Sequence, residues 1–64
     1  MSSIQEAVEA ARREFLPMRG VVGVGWMDGA IVVYIETPDV ARILPRTYMG
    51  FPVVFKVTGR LTRL

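Results

Sequence analysis

Three glycines, Gly20, Gly23 and Gly25, fall in a G-x-x-G-x-G pattern, close to the spacing with which a backbone cradles phosphate. A dinucleotide-binding loop follows a strand and opens a helix, so that the phosphate rests on the helix N-terminus. Here a helical pattern precedes the glycines and a strand pattern runs on through them, which leaves no helix N-terminus at the site. Gly20-Val21-Val22-Gly23 also matches the GXXG with which a KH domain clamps nucleic acid, but that loop lies between two helices and this one enters a strand. Packing accounts for both patterns. Glycine within a strand admits a ring or another backbone at close range, and Tyr34 on the neighbouring strand is placed to lie across Gly23 or Gly25.

The six carboxylates give no acid–base pair. Glu6, Glu9 and Glu14 belong to a solvated helix face, Asp28 to a turn, Asp39 to a helix start and Glu36 to a strand end. Nucleophilic catalysis through Ser or Thr needs a neighbouring base; the chain has no His, and its single lysine is Lys56. Absence of Cys and His removes disulfides and the commonest zinc ligands. The expectation is therefore no enzyme, no catalytic residue, no metal, no cofactor and no small-molecule substrate.

Basic side chains offer a different chemistry. Arg42, Arg46, Lys56, Arg60 and Arg63 all fall in the C-terminal half, where Tyr34, Tyr48 and Phe51 are candidates to stack bases. Positive and negative charges nevertheless alternate along the chain without forming a block, and the net charge is +2. Nucleic-acid binding through those five cations stands as the alternative reading.

The elements that position these residues are legible from periodicity. Ser3-Ile4-Gln5-Glu6 fits a capping box that starts a helix. Ile4, Ala7, Val8, Ala11 and Phe15 then recur on one face, and Pro17 stops the helix near Phe15 or Leu16. The pattern switches to period two, with Val22, Val24 and Trp26 opposite Val21, Gly23, Gly25 and Met27. Asp28-Gly29 is a two-residue hairpin signal, and a second strand covers 30–36. Trp26, beside the turn, is expected to anchor the core. Thr37-Pro38-Asp39 reads as an N-cap, a first-turn proline and an acid at the positive end of a helix over 38–44, with Val40, Ile43 and Leu44 toward the sheet. Residues 46–51 connect to a third strand at 53–58, and Gly59 breaks it.

The order helix, strand, strand, helix, strand predicts one α+β domain over 1–64. Its expected form is a two-layer sandwich with a three-stranded antiparallel sheet, order 2-1-3, and both helices on one face. In the second strand Ile31, Val33 and Ile35 form the core row, yet Val32 and Tyr34 on the other side are apolar too. A 64-residue chain buries only about 60% of its unfolded surface, and 52% hydrophobic content exceeds what so small an interior hides. A homodimer is expected, self-associating through the open sheet face, with Val32, Tyr34 and Val54 as its partner-binding residues, or through an exposed sheet edge whose unpaired backbone groups accept another strand. The longest apolar run, 30–35, is far short of the roughly 20 residues that span a bilayer, and the N-terminus has no apolar signal core. A cytoplasmic chain with no membrane partner is the expectation. Absence of Asn, Cys and His, with a single Gln at Gln5, fits a thermophilic or high-GC source.

From Arg19 onward, Gly20-Val21-Val22-Gly23-Val24-Gly25, Ala30-Ile31-Val32-Val33-Tyr34-Ile35-Glu36, Leu44-Pro45, Gly50-Phe51-Pro52-Val53 and Gly59 together resemble a small module found ahead of bacterial trypsin-like serine protease domains. The element order is also similar to that of the C-terminal lobe of the α-lytic protease pro-region, which engages its protease partly by pairing a sheet edge. The resemblance implies an adapter or pro-domain-like module without chemistry of its own, to which no catalytic residue carries over.

Overall fold

The capping box forms as its spacing predicts. In the computed structural model, which describes residues 3–58, the Glu6 N–H donates to the Ser3 hydroxyl at 3.2 Å and the Ser3 N–H donates to the Glu6 carboxylate at 3.2 Å. Helix α1, Ile4–Phe15, follows and buries Ala7, Val8, Ala11 and Phe15 on one face. Ile4 is half-buried at its start.

Strands β1 (Val21–Met27) and β2 (Ala30–Ile35) form an antiparallel hairpin. Asp28 and Gly29 both take positive φ, +53° and +77°, as a type I′ turn requires. A bulge between Val21 and Gly23 makes Val22 an extra residue, and its side chain is exposed.

The segment after β2 departs from expectation. A 3-10 helix covers Pro38–Ile43; Thr37 has extended backbone at its N-cap but makes no side-chain cap hydrogen bond. Ile43, expected against the sheet, is 64% exposed, while Leu44 is buried. The expected 40/43/44 face presumed α-helical winding. In the 3-10 helix it is Val40 and Ala41 that pack against the core, and Leu44 follows the helix with extended backbone, φ −109° and ψ 151°, and is buried there in place of Ile43.

Residues 46–51, read as a plain connection, contain β3 (Thr47–Tyr48) and a second turn at Met49 and Gly50, with φ of +51° and +87°. Strand β4 is Phe51–Val57, which begins two residues earlier than the expected 53–58. Pro52 is tolerated because it pairs with Thr47 of the short β3, ahead of the β2 ladder, which starts at Val53.

The α+β class holds, but the sheet is four-stranded and mixed, order β1-β2-β4-β3, not three-stranded and antiparallel in order 2-1-3. One α-helix and one 3-10 helix stand where two helices were expected. β2 occupies the interior, antiparallel to β1 and parallel to β4. The physical reason lies in side-chain content: Ala30-Ile31-Val32-Val33-Tyr34-Ile35 is apolar in both of its rows, the composition of a strand covered on both sides. β1 carries two glycines in one row and gains less from a central place.

Directly paired residues share a face. Val24, Ile31, Val33 and Val53 therefore lie on the α1 side, and with Ile35, Leu44 and the buried face of α1 they form the core. Trp26 shares that side but sits at the hairpin end; it is half-exposed and does not anchor the core as expected.

Gly20 joins α1 to β1 with φ +95°, and a Cβ there would stand 2.6 Å from Val40 Cγ2. Gly50 also has positive φ, +87°, but open space beyond it. Gly50→Ala should cost about 1–2 kcal/mol from the left-handed backbone alone. Gly20→Ala adds a clash with Val40 and should cost more. Urea melts of the two variants check this ranking, and equal losses would contradict it.

Candidate functional site

The sheet has helices on one side. Gly23, Gly25, Met27, Ala30, Val32, Tyr34, Val54 and Lys56 share the opposite face. Two cross-strand rows define its centre: Gly25, Val32 and Val54 in one, and Gly23, Tyr34 and Lys56 in the other. The structure thus brings the three residues singled out for partner binding onto one face, Val32 and Tyr34 in β2 and Val54 beside Val32 in β4.

They are not equally accessible. Val32 is only 3% exposed and forms the floor, Tyr34 is half-buried, and Val54 is 44% exposed. The Tyr34 ring lies over the glycines: a Cβ on Gly23 would be 3.6 Å from Tyr34 Cδ2, and one on Gly25 would be 4.0 Å from Cε2. Both distances are ordinary van der Waals contact, so the ring lies beside the glycines and an added methyl would touch it without displacing it.

Met27, exposed at the rim, and Ala30, buried at the floor, complete the surface. Periodicity alone would have found both, since they occupy the same row as Gly25 and Val32. Lys56 is the charged residue among the paired positions of this face.

The nucleic-acid candidates are not gathered in the same way. Arg42 lies on the 3-10 helix, whose Val40 and Ala41 pack against the core on the α1 side, and Arg46 precedes β3. Arg60 and Arg63 lie outside the described residues. Of the aromatics, Tyr34 neighbours Lys56, whereas Phe51 and Tyr48 pack against the core.

Tyr48 is engaged at both ends. Its ring meets Phe15 edge-on, centroids 5.2 Å apart at 64°, and its hydroxyl donates to Glu14 Oε1 at 2.7 Å. That hydrogen bond to a carboxylate, with smaller contributions from desolvation and from the Glu14 charge, raises the Tyr48 pKa above its ordinary value. No pocket opens among the described residues, and none of their carboxylates group as a metal site. No described helix is long and apolar enough to cross a membrane.

Sequence reading also missed Arg12, which reaches from α1 to the sheet, where its Nε donates to the Val24 carbonyl at 3.2 Å.

The neutral Tyr48 phenol is the form the fold favours. Its contribution to stability is full below pH ~10, where an unfolded tyrosine ionises, and is lost as pH rises through the raised folded value. In a Tyr34→Phe background, tyrosinate absorbance should appear at higher pH in the folded chain than in urea, and Glu14→Gln should shrink that gap. A gap untouched by Glu14→Gln would contradict the assignment. Comparison with protein-family models, with curated proteins and with solved structures gives no match to this chain.

Proposed function

We propose that this chain is a non-enzymatic, cytoplasmic protein-interaction module, adapter-like or pro-domain-like, that self-associates through its sheet. The helix-free face of Val32, Tyr34 and Val54 is its contact surface. One observation carries the reading: among the described residues the helices pack on one side of the sheet, and its other side presents a mostly apolar surface with Lys56 as its charged residue. A solvated outer face would normally alternate to polar residues. A second copy supplies an apolar cover of the same composition, and the two-fold homodimer is the commonest soluble oligomer. The absence of Cys suits a reducing compartment.

Val32 is a poor place to test this surface, because a charge at a buried position would unfold the monomer. Val54 is exposed and suits the purpose. Sedimentation velocity should give a wild-type mass above 7.2 kDa that rises with concentration. Val54→Glu should lower that mass with the circular dichroism unchanged, and Ile43→Glu, on an exposed residue of the 3-10 helix, should leave it alone. A wild-type mass that stays at 7.2 kDa at all concentrations, or a Val54→Glu variant that assembles like wild type, would contradict the proposal.

A further inference from the structure

The helix-free face is uneven from one flank to the other. In its two central rows the β1 member is a glycine, Gly25 or Gly23, and the β4 member is an exposed side chain, Val54 or Lys56. β4 is therefore a ridge, with Val54 44% exposed, and β1 is a trough whose half-buried glycines raise no side chain above the backbone. Val32 lies between them as a floor, 3% exposed. The Tyr34 ring walls the trough. It reaches from β2 toward β1, with Cδ2 3.6 Å from the place of a Gly23 Cβ and Cε2 4.0 Å from that of a Gly25 Cβ.

We infer that the β1 trough of each chain receives the β4 ridge of a second copy, about a two-fold axis that runs along β2. This rests on the self-association proposed above and states which strand of the second copy covers which. Facing sheets pack about 10 Å apart with their strands nearly aligned, so the direction of the axis decides what meets what. An axis along β2 exchanges the flanks. Val54 of each chain then comes over Gly25 of the other, Lys56 comes over Gly23, and Val32 faces its own copy on the axis. Bulk meets space on both flanks, and the two Tyr34 rings, each reaching toward its own β1, lie on opposite sides of the pair.

The other two-fold, across the strands, fits worse in shape and in charge. It stacks each strand on its own copy. Through the Val32 row it sets Gly25 over Gly25 and Val54 over Val54, a gap on one flank and crowding on the other, and both forfeit packing. Through the Tyr34 row it sets Lys56 on Lys56, where like charges repel. With the axis along β2 the two lysines stay on opposite flanks, two strand spacings or roughly 10 Å apart across the sheet. Each lies against the Tyr34 ring of the other chain, where its stem covers apolar carbon and its ammonium meets the face of the ring. The charged residue of the surface is thus accommodated without a carboxylate.

Fit matters here because area is scarce. Three strands about 4.8 Å apart and five residues at about 3.3 Å each give the face a footprint on the order of 250 Å², against about 800 Å² per partner in a stable complex. The pair is weak, and one overfilled contact shifts its equilibrium measurably.

Moving bulk from one flank to the other reads the register. Gly25→Ala raises the trough by one methyl, which stands 4.0 Å from Tyr34 and leaves the fold and its circular dichroism unchanged. Val54→Ala lowers the ridge at an exposed position. Sedimentation velocity at rising concentration should show Gly25→Ala self-associating on the order of tenfold more weakly than wild type, the loss that overpacking a fitted contact brings. An equal mixture of the two variants should associate more tightly than either alone, because the lowered ridge of one chain then meets the raised trough of the other. In an equal mixture of isotope-labelled and unlabelled wild-type chain, intermolecular NOEs should connect the Val54 methyls to Gly25 and to the Tyr34 ring. A variant mixture no tighter than its components, or Val54 methyls in contact with Val54 of the other chain, while the wild type still self-associates, would overturn the register and leave the face reading standing. A wild-type mass of 7.2 kDa at every concentration would overturn both.

Discussion

A strand that is apolar in both of its rows has to be covered on both of its faces, and β2 is such a strand. Ile31, Val33 and Ile35 point to α1 and are fully buried, while Ala30 and Val32 point the other way and are buried as well. The rest of the chain is arranged around that demand. α1 is amphipathic and covers the first row. The Tyr34 ring, beside Gly23 and Gly25, shelters part of the second row. Those two glycines leave β1 little side chain to bury on that face, and β1 lies at the edge, where it has one neighbour to satisfy.

Placing β2 in the interior fixes the rest of the topology. β4 must run beside it, and since the chain crosses from the end of β2 back to the start of β4 through the 3-10 helix, the pair is parallel. Gly20 is tied into this crossover: its left-handed backbone brings the chain from α1 to β1 close enough that Val40 of the 3-10 helix touches the place where a side chain would be. Tyr48, reaching from β3 to Glu14 and Phe15, joins the far corner of the sheet to the C-terminal turn of α1. One edge of this sheet is held by Arg12 and a bulge, and β3 runs along the start of the other.

Local signals in the sequence were legible where a backbone conformation needs a particular residue. The capping box of Ser3 and Glu6, the stop before Pro17, the Asp28-Gly29 turn and the Tyr34 ring over the glycines all follow from single residues and short spacings. What could not be read were choices made by competition between distant parts. Strand order was one, because inserting the first strand between the others satisfies connection rules as well as the observed order does, and only the two-sided burial of β2 decides. The β3 hairpin was another, since Met49 takes a left-handed conformation that its side chain does not advertise. For the candidate surface, Val32, Tyr34 and Val54 were found because alternation places them on one face. Their unequal exposure was not legible, nor was the reach of Arg12 to an edge carbonyl, since both depend on how α1 and Tyr34 settle on the sheet.

The central claim is the proposal that a second copy covers the helix-free face around Val32, Tyr34 and Val54. Hydroxyl-radical labelling of side chains, followed as protein concentration rises, tests it most directly. The account predicts that labelling of Met27 and Val54, exposed on that face, falls with concentration while that of Ile43, exposed on the 3-10 helix, does not. Labelling of Met27 and Val54 that is independent of concentration would contradict it.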